Sequence, residues 1–265
     1  MRDDKCYTCG RRNPGLWGFG PALRNLGVTF SFAPMVIGAS ATIYVATLLL
    51  SGGAIRMDSI MALLAPSTPV LFLFGASGAI PVFTFGRWWT VLSAGWLHAG
   101  LLHIVLNMYW VRYIGPAMVD ILGPARTIIV YVAAGVTGFA LSSFAGAFLN
   151  GLPIPLLRGA GFTVGASAPV FGLIGALYHY GRTSSSIVKQ QATYFAVQAI
   201  IFGLIFPGID NYAHLGGFAG GYVMSAFFNP MTRERGDHMI VAVVLLAATF
   251  LALAASIITG LPLFR

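Results

Sequence analysis

Long runs of apolar residues, separated by a few charges, fill nearly the whole chain. Uncharged stretches lie at 25–55, 59–86, 88–111, 127–157, 159–181, 190–209, 211–232 and 239–264. A helix needs roughly 20 apolar residues to cross a bilayer core of about 30 Å. One of the eight stretches differs from the others. Segment 59–86 holds Pro66, Pro69 and Pro81 together with Gly75, Gly78 and Gly86. Breakers at that density fit a membrane only where protein satisfies the freed backbone groups, so 59–86 reads as a re-entrant or interfacial loop. The remaining seven read as transmembrane helices.

The charges test that choice. With seven spans and the N-terminus inside, eleven basic residues fall on the inner face: Arg2, Lys5, Arg11, Arg12, Arg24, Arg112, Arg126, Arg182, Lys189, Arg233 and Arg235. Four fall outside, namely Arg56, Arg87, Arg158 and Arg265. Eight spans would give eight against seven. The excess of Lys and Arg in cytoplasmic loops therefore favours seven spans, with the C-terminus outside. The polar stretch 1–28 carries no cleavable signal, and the first span is expected to serve as its own.

Composition agrees. Of 265 residues, 57% are hydrophobic and 8% are charged, with a net charge of +8. Soluble domains carry about 25% charged residues, so a soluble enzyme is excluded. Disorder is excluded by the hydrophobicity. A nucleic-acid partner is excluded because so little charged surface is available. Cys6 and Cys9 form a Cys-x-x-Cys in the tail, which is half of a zinc site. The other half would have to come from a second chain; otherwise the motif is an unmetallated knuckle. No cofactor motif is present.

Polar groups at membrane depth are costly and mark function. His179 and His238 fall near inner helix ends and read as interfacial. Three clusters differ, because they open spans two, four and six at the outer side. In the first, His103 and Asn107 are four apart and share a helix face, with His98 just before. Such a pair could equally be a polar clamp between helices. The second is Gly165-Ala166-Ser167-Ala168-Pro169. It puts Ser167 at a helix N-terminus, where unpaired N–H groups stabilise developing negative charge. Its plain alternative is a helix cap. The third is Asp210-Asn211-Tyr212-Ala213-His214, followed by Gly217-x-x-x-Gly221. Its small residues let helices approach closely, with Gly172 and Ala176 of span four as the expected partners. Spans two, four and six all run inward. Their clusters therefore meet in one wet cavity suited to nucleophilic catalysis.

In residue type, order and spacing, the three motifs resemble the rhomboid family of intramembrane serine proteases over roughly 30–230. That resemblance implies an all-α polytopic membrane protein, a rhomboid-like six-helix bundle with a seventh C-terminal transmembrane helix. The expected parts are a cytoplasmic tail 1–28, a core 29–230 with a membrane-dipping loop about 52–97, and an inner loop and last helix at 231–265. It implies Ser167 as nucleophile and His214 as base. His103, Asn107 and the Ser167 N–H would form the oxyanion hole, with His98 in support. Phe171 would pack on His214. The expected substrates are single-pass transmembrane proteins in the lipid bilayer of the cell membrane, cleaved near the outer leaflet after a small residue. Two departures stand out. Thr90 replaces the arginine that usually follows the loop tryptophan, here Trp89, which puts that arginine's contacts in question. Ala168 replaces a common glycine. Gly75-Ala76-Ser77-Gly78 is a decoy that precedes His98 and opens no span.

Of the seven acidic residues, only Asp210 lies near His214, in the expected capping turn. A Ser–His dyad with no orienting carboxylate is predicted. Two rivals share the hydropathy pattern: an inactive rhomboid-like protein that escorts membrane clients, and a seven-helix transporter or receptor. The inactive form is expected to lack the serine or the histidine, and both are present here.

Overall fold

The computed structural model describes residues 31–149, 151, 159–206 and 208–264. The Cys6/Cys9 motif, the tail 1–28 and residues 150 and 152–158, which precede Ser167, lie outside the described residues. Seven long helices carry the fold: α1 (Phe32–Ser51), α4 (Leu101–Leu122), α5 (Pro124–Phe148), α6 (Ser167–Ser184), α7 (Ser186–Ile205), α8 (Asn211–Ser225) and α9 (Gly236–Gly260). Between α1 and α4 come two short helices, α2 (Thr68–Leu73) and α3 (Thr90–Ser93), with a π turn at Ile80–Thr84 and a 3-10 turn at Ala94–Trp96. The proline-rich stretch 59–86 thus holds no long helix. Its Ser77 pairs with Thr163 through two backbone hydrogen bonds.

Among the described residues, three helices, Phe32–Ala54, Pro124–Phe148 and Gly236–Gly260, are long and apolar enough to cross a membrane. A fourth is the pair Thr90–Trp96 and Leu101–Leu122, bent by 92°. The bend lies where the loop expected over about 52–97 ends, and it divides the uncharged stretch 88–111. Residues 88–111 are not one helix, because the chain turns at Leu97–Gly100 and α4 starts only at Leu101. The cause is long-range. The Leu101 N–H donates to the Leu63 carbonyl at 2.8 Å, and a Cβ on Gly100 would lie 2.8 Å from the Met61 carbonyl oxygen. Arg112 consequently sits halfway along α4, exposed, rather than at a helix end.

Glycine faces set the packing of the central helices. Thr137 of α5 donates to the Gly216 carbonyl at 3.0 Å, and a Cβ on Gly138 would come within 2.6 Å of the Ala213 carbonyl. On the other side of α8, side chains at Gly217 and Gly221 would collide with the backbone carbonyls of Ala168 and Gly172. Residue 217 meets 168 and residue 221 meets 172, so α6 and α8 run parallel at close quarters. Gly175, rather than the expected Ala176, is the next point of close approach, against Phe218. The main core fills the space around these helices with Phe32, Trp96, Val111, Ile114, Met118, Tyr131, Leu173 and Ile174.

Candidate active site

Ser167 is the first residue of α6 and half-exposed, while Ala166, Ala168 and Pro169 around it are buried. The preceding turn is held from the side: the Gly165 N–H donates to the Ala94 carbonyl at 3.0 Å, and the Ala166 N–H points at His98 Nε2 at 3.5 Å. Gly165 has φ +130°, and a Cβ there would lie 2.5 Å from His103 Nε2 and 3.7 Å from Ser167 Oγ. Only glycine lets the chain pass so close to the imidazole.

His103 lies in the first turn of α4. Its Nδ1 accepts the Ala99 N–H at 3.3 Å. A neutral imidazole accepting at Nδ1 carries its proton on Nε2, and that N–H faces the Gly165–Ser167 turn. Asn107, one turn on, is buried and donates from Nδ2 to the His103 carbonyl at 2.8 Å. His98 is fully buried and crosses His103 edge to face, with ring centroids 5.3 Å apart. It stands before α4, in the turn that ends at Gly100.

His214 is buried in the first turn of α8. Its ring lies flat on Phe171 of α6, with centroids 4.1 Å apart and planes 12° from parallel. His214, Gly217 and Gly221 occupy one face of α8. The Gly217–Ala168 contact therefore sets the histidine one turn above Ala168, at the level of the Ser167 turn. The His214 Nδ1 atom is buried with no hydrogen-bond partner among the described residues. Asp210 does not supply one. One of its oxygens caps α8 by accepting the Ala213 N–H at 3.0 Å, and the other takes the Ser142 hydroxyl. Among the described residues, no hydrogen bond joins Ser167 to His214; such bonds are often long in unliganded sites.

The decoy is far less equipped. Ser77 is fully buried, within 3.3 Å of the Thr90 hydroxyl and 3.4 Å of the Ser143 hydroxyl, and among the described residues no hydrogen bond joins it to a histidine. Among the described residues, no group of three metal-ligating side chains occurs. His179 lies against the Tyr222 ring. His238 stands in the first turn of α9, at a helix end as expected, and its Nδ1 accepts from the Arg126 guanidinium at 3.1 Å. Nothing local in the sequence announces that contact, because 112 residues separate the two.

A model of the family described as the Rhomboid domain matches residues 85–231, more than half of the chain. The chain belongs to the Rhomboid family. It is 34% identical over 167 residues to RHOMBOID-like protein 4 of Arabidopsis thaliana, covering 61% of this chain and 39% of that protein. It is 31% identical over 186 residues to Rhomboid protease GluP of Bacillus subtilis, covering 68% of this chain and 34% of that one. It is also 30% identical over 135 residues to Inactive RHOMBOID-like protein 8 of Arabidopsis thaliana, covering 49% and 35%. The chain thus spans less than half the length of these rhomboid relatives, which include both a named protease and a named inactive protein.

Proposed function

We propose that this rhomboid protein is an intramembrane serine endopeptidase with a Ser167–His214 dyad. In this reading Ser167 Oγ attacks the scissile carbonyl carbon and passes its proton to His214. The carbonyl oxygen becomes an oxyanion, held by the Ser167 backbone N–H and His103 Nε2–H, with Asn107 and His98 in support. Collapse breaks the C–N bond, and His214 returns the proton to the departing amine. Water then releases the acyl group from Ser167 by the same steps. Preorganised donors of this kind are usually the largest contribution to such catalysis.

The observation that carries the reading is the stacking of Phe171 on His214 at the level of a half-exposed Ser167. With Nδ1 unpartnered, ring stacking takes the place of a carboxylate in orienting the base. A missing orienter lowers rate in serine hydrolases, so slow turnover is expected. The substrates are single-pass transmembrane proteins whose helices unwind near the outer leaflet, since a helical peptide bond is shielded and hydrogen-bonded. The chain sits in the cell membrane with the tail inside and the C-terminus outside. Cys6 and Cys9 are the only cysteines, so an impermeant maleimide should label permeabilised cells and spare intact ones. Labelling of intact cells would reverse the topology.

The central test is reaction of the detergent-purified chain with a fluorophosphonate, alongside cleavage of a single-pass test substrate. Ser167 should be labelled and the substrate cut. His214→Ala should abolish both, while Cys6→Ser and Ser77→Ala should label as the parent does. A folded chain that neither labels nor cleaves would be the escort protein instead.

A further inference from the structure

Helix α9 lies beyond the stretch that matches the family, yet it touches the segment that builds the site. Arg87 is almost fully buried, and among the described residues no carboxylate pairs with it. Its guanidinium donates to the Phe72 carbonyl at 2.8 Å and the Ser256 carbonyl at 2.5 Å. It also lies 4.3 Å from the Phe72 ring centroid. Both carbonyls belong to the final turns of helices, α2 and α9, where the backbone carries partial negative charge. Two residues on, Trp89 Nε1 donates to the Ser256 hydroxyl at 3.1 Å. One and a half turns earlier on α9, Phe250 stacks on Trp96 at 5.9 Å with planes 29° apart. Thus α9 holds both ends of the segment Arg87–Trp96.

That segment is the side wall of the catalytic turn. Ser93 donates to the Gly75 carbonyl at 2.8 Å, and the Ala94 carbonyl receives the Gly165 N–H at 3.0 Å. Trp96 is two residues before His98, which faces the Ala166 N–H. The path from Ser256 and Phe250 to Ser167 runs through ring stacking and hydrogen bonds joined by short stretches of backbone. Arg87, two residues before Trp89, reaches α2 and α9 from the start of this segment. Thr90 itself is buried and donates to the Arg87 carbonyl at 2.8 Å.

We infer that α9 is a positioning element of the active site, with Phe250 and Ser256 as positioning residues. Phe250 acts through Trp96, and Ser256 through Trp89 and Arg87. Together they fix the oxyanion turn His98–His103 and the Gly165–Ser167 turn. The inference rests on the protease reading. If α9 only glued the bundle, its variants would lower stability and the amount of active protein, and each surviving site would work normally.

The test uses the full chain in proteoliposomes. Saturating fluorophosphonate counts active sites, and kcat and KM are measured per labelled site. Phe250→Ala should lower kcat by about 10–100-fold with KM unchanged, the size expected when a reacting group is displaced by roughly 1 Å. Phe250→Tyr, which keeps the ring, should restore it. Ser256→Ala removes one hydroxyl and leaves the carbonyl for Arg87, so it should fold and show a smaller loss of the same kind. Unchanged kcat per labelled site in both Phe250→Ala and Ser256→Ala, whatever the thermal stability, overturns the inference. If Phe250→Ala does not fold, Ser256→Ala alone decides it. A parent chain that neither labels nor cleaves overturns the protease reading itself, which is a separate result.

Discussion

At the residue scale, the Gly165–Ser167 turn depends on one glycine. Gly165 combines a φ of +130° with an imidazole nitrogen 2.5 Å from where its Cβ would stand. Alanine would meet both costs at once. Backbone strain of this kind is worth ~1–3 kcal/mol, and the added methyl would push the His103 ring out of the site. Gly165→Ala should therefore lower the melting temperature modestly and cut kcat far more than stability alone accounts for, with KM little changed. Comparing thermal unfolding with turnover per labelled Ser167 checks this. A variant with parental kcat would show that His103 has room to move and is not a fixed donor. The same residue shows why Gly-x-Ser is more than a pattern here. Ser77 also follows Gly-x, but Gly75 packs against Ser93 and Ser256 rather than against a histidine.

At the element scale, the site is assembled by α6 and α8 lying parallel with backbone against backbone. Gly221 faces the Gly172 carbonyl, so any side chain there forces the helices apart. Overpacking a tight interface costs ~1–3 kcal/mol. Gly221→Val should lower unfolding stability in detergent by that order and reduce labelling of Ser167, since the same helix–helix interface, one turn away at Gly217 and Ala168, sets the place of His214. Stability equal to the parent's would mean that α6 and α8 do not need this contact. The small-residue spacing at 217 and 221 was legible in the sequence because it is local and periodic. The number of long helices was legible too, since apolar runs broken by charges leave few other solutions. The start of α4 was legible only from the motifs, not from hydropathy. Leu97-His98-Ala99-Gly100 continues the apolar run without a break, and the bend is made by Met61 and Leu63, more than thirty residues earlier. The resemblance ended the loop near residue 97, a few residues before Leu101, and His103 and Asn107 both sit inside the helix. The contacts of Phe250, Ser256 and Arg126 were hidden for the same reason as the bend: their partners are distant in sequence and carry no periodic signal.

At the scale of the whole molecule, the two ends of the bundle differ in kind. One end gathers Ser167, His103 and His214. The other gathers Arg126, Arg182, Lys189, Arg233 and Arg235 at helix termini, and there Arg126 is the knot. It is almost fully buried, and it donates to the carbonyls of Asn229, Thr232 and Arg233 at 2.9–3.0 Å and to His238. Its own N–H donates to Glu234 Oε1 at 2.7 Å. The Glu234 carboxyl packs on Gly123, whose φ of +89° turns the chain between α4 and α5. These contacts tie the α8–α9 loop to the α4–α5 turn, so α9 is anchored here as well as at Arg87. Burial pushes the Glu234 carboxyl above its ordinary range, against the opposing pull of the Arg126 hydrogen bond and charge. The sign of the consequence follows from proton linkage. A raised pKa means that the folded chain holds this proton more tightly than the unfolded chain does. Stability then falls as pH rises from the ordinary carboxyl value through the raised one, and stays lower above it. Glu234→Gln keeps an oxygen for the Arg126 N–H but does not ionise. The variant should match the parent near pH 4 and exceed it in melting temperature by a margin that grows toward pH 7. Thermal unfolding of both chains in detergent across that range gives the answer. A parent that gains on the variant as pH rises would mean that attraction to Arg126 outweighs the cost of burying the carboxylate, and that the loop is held by an ion pair rather than by hydrogen bonds alone.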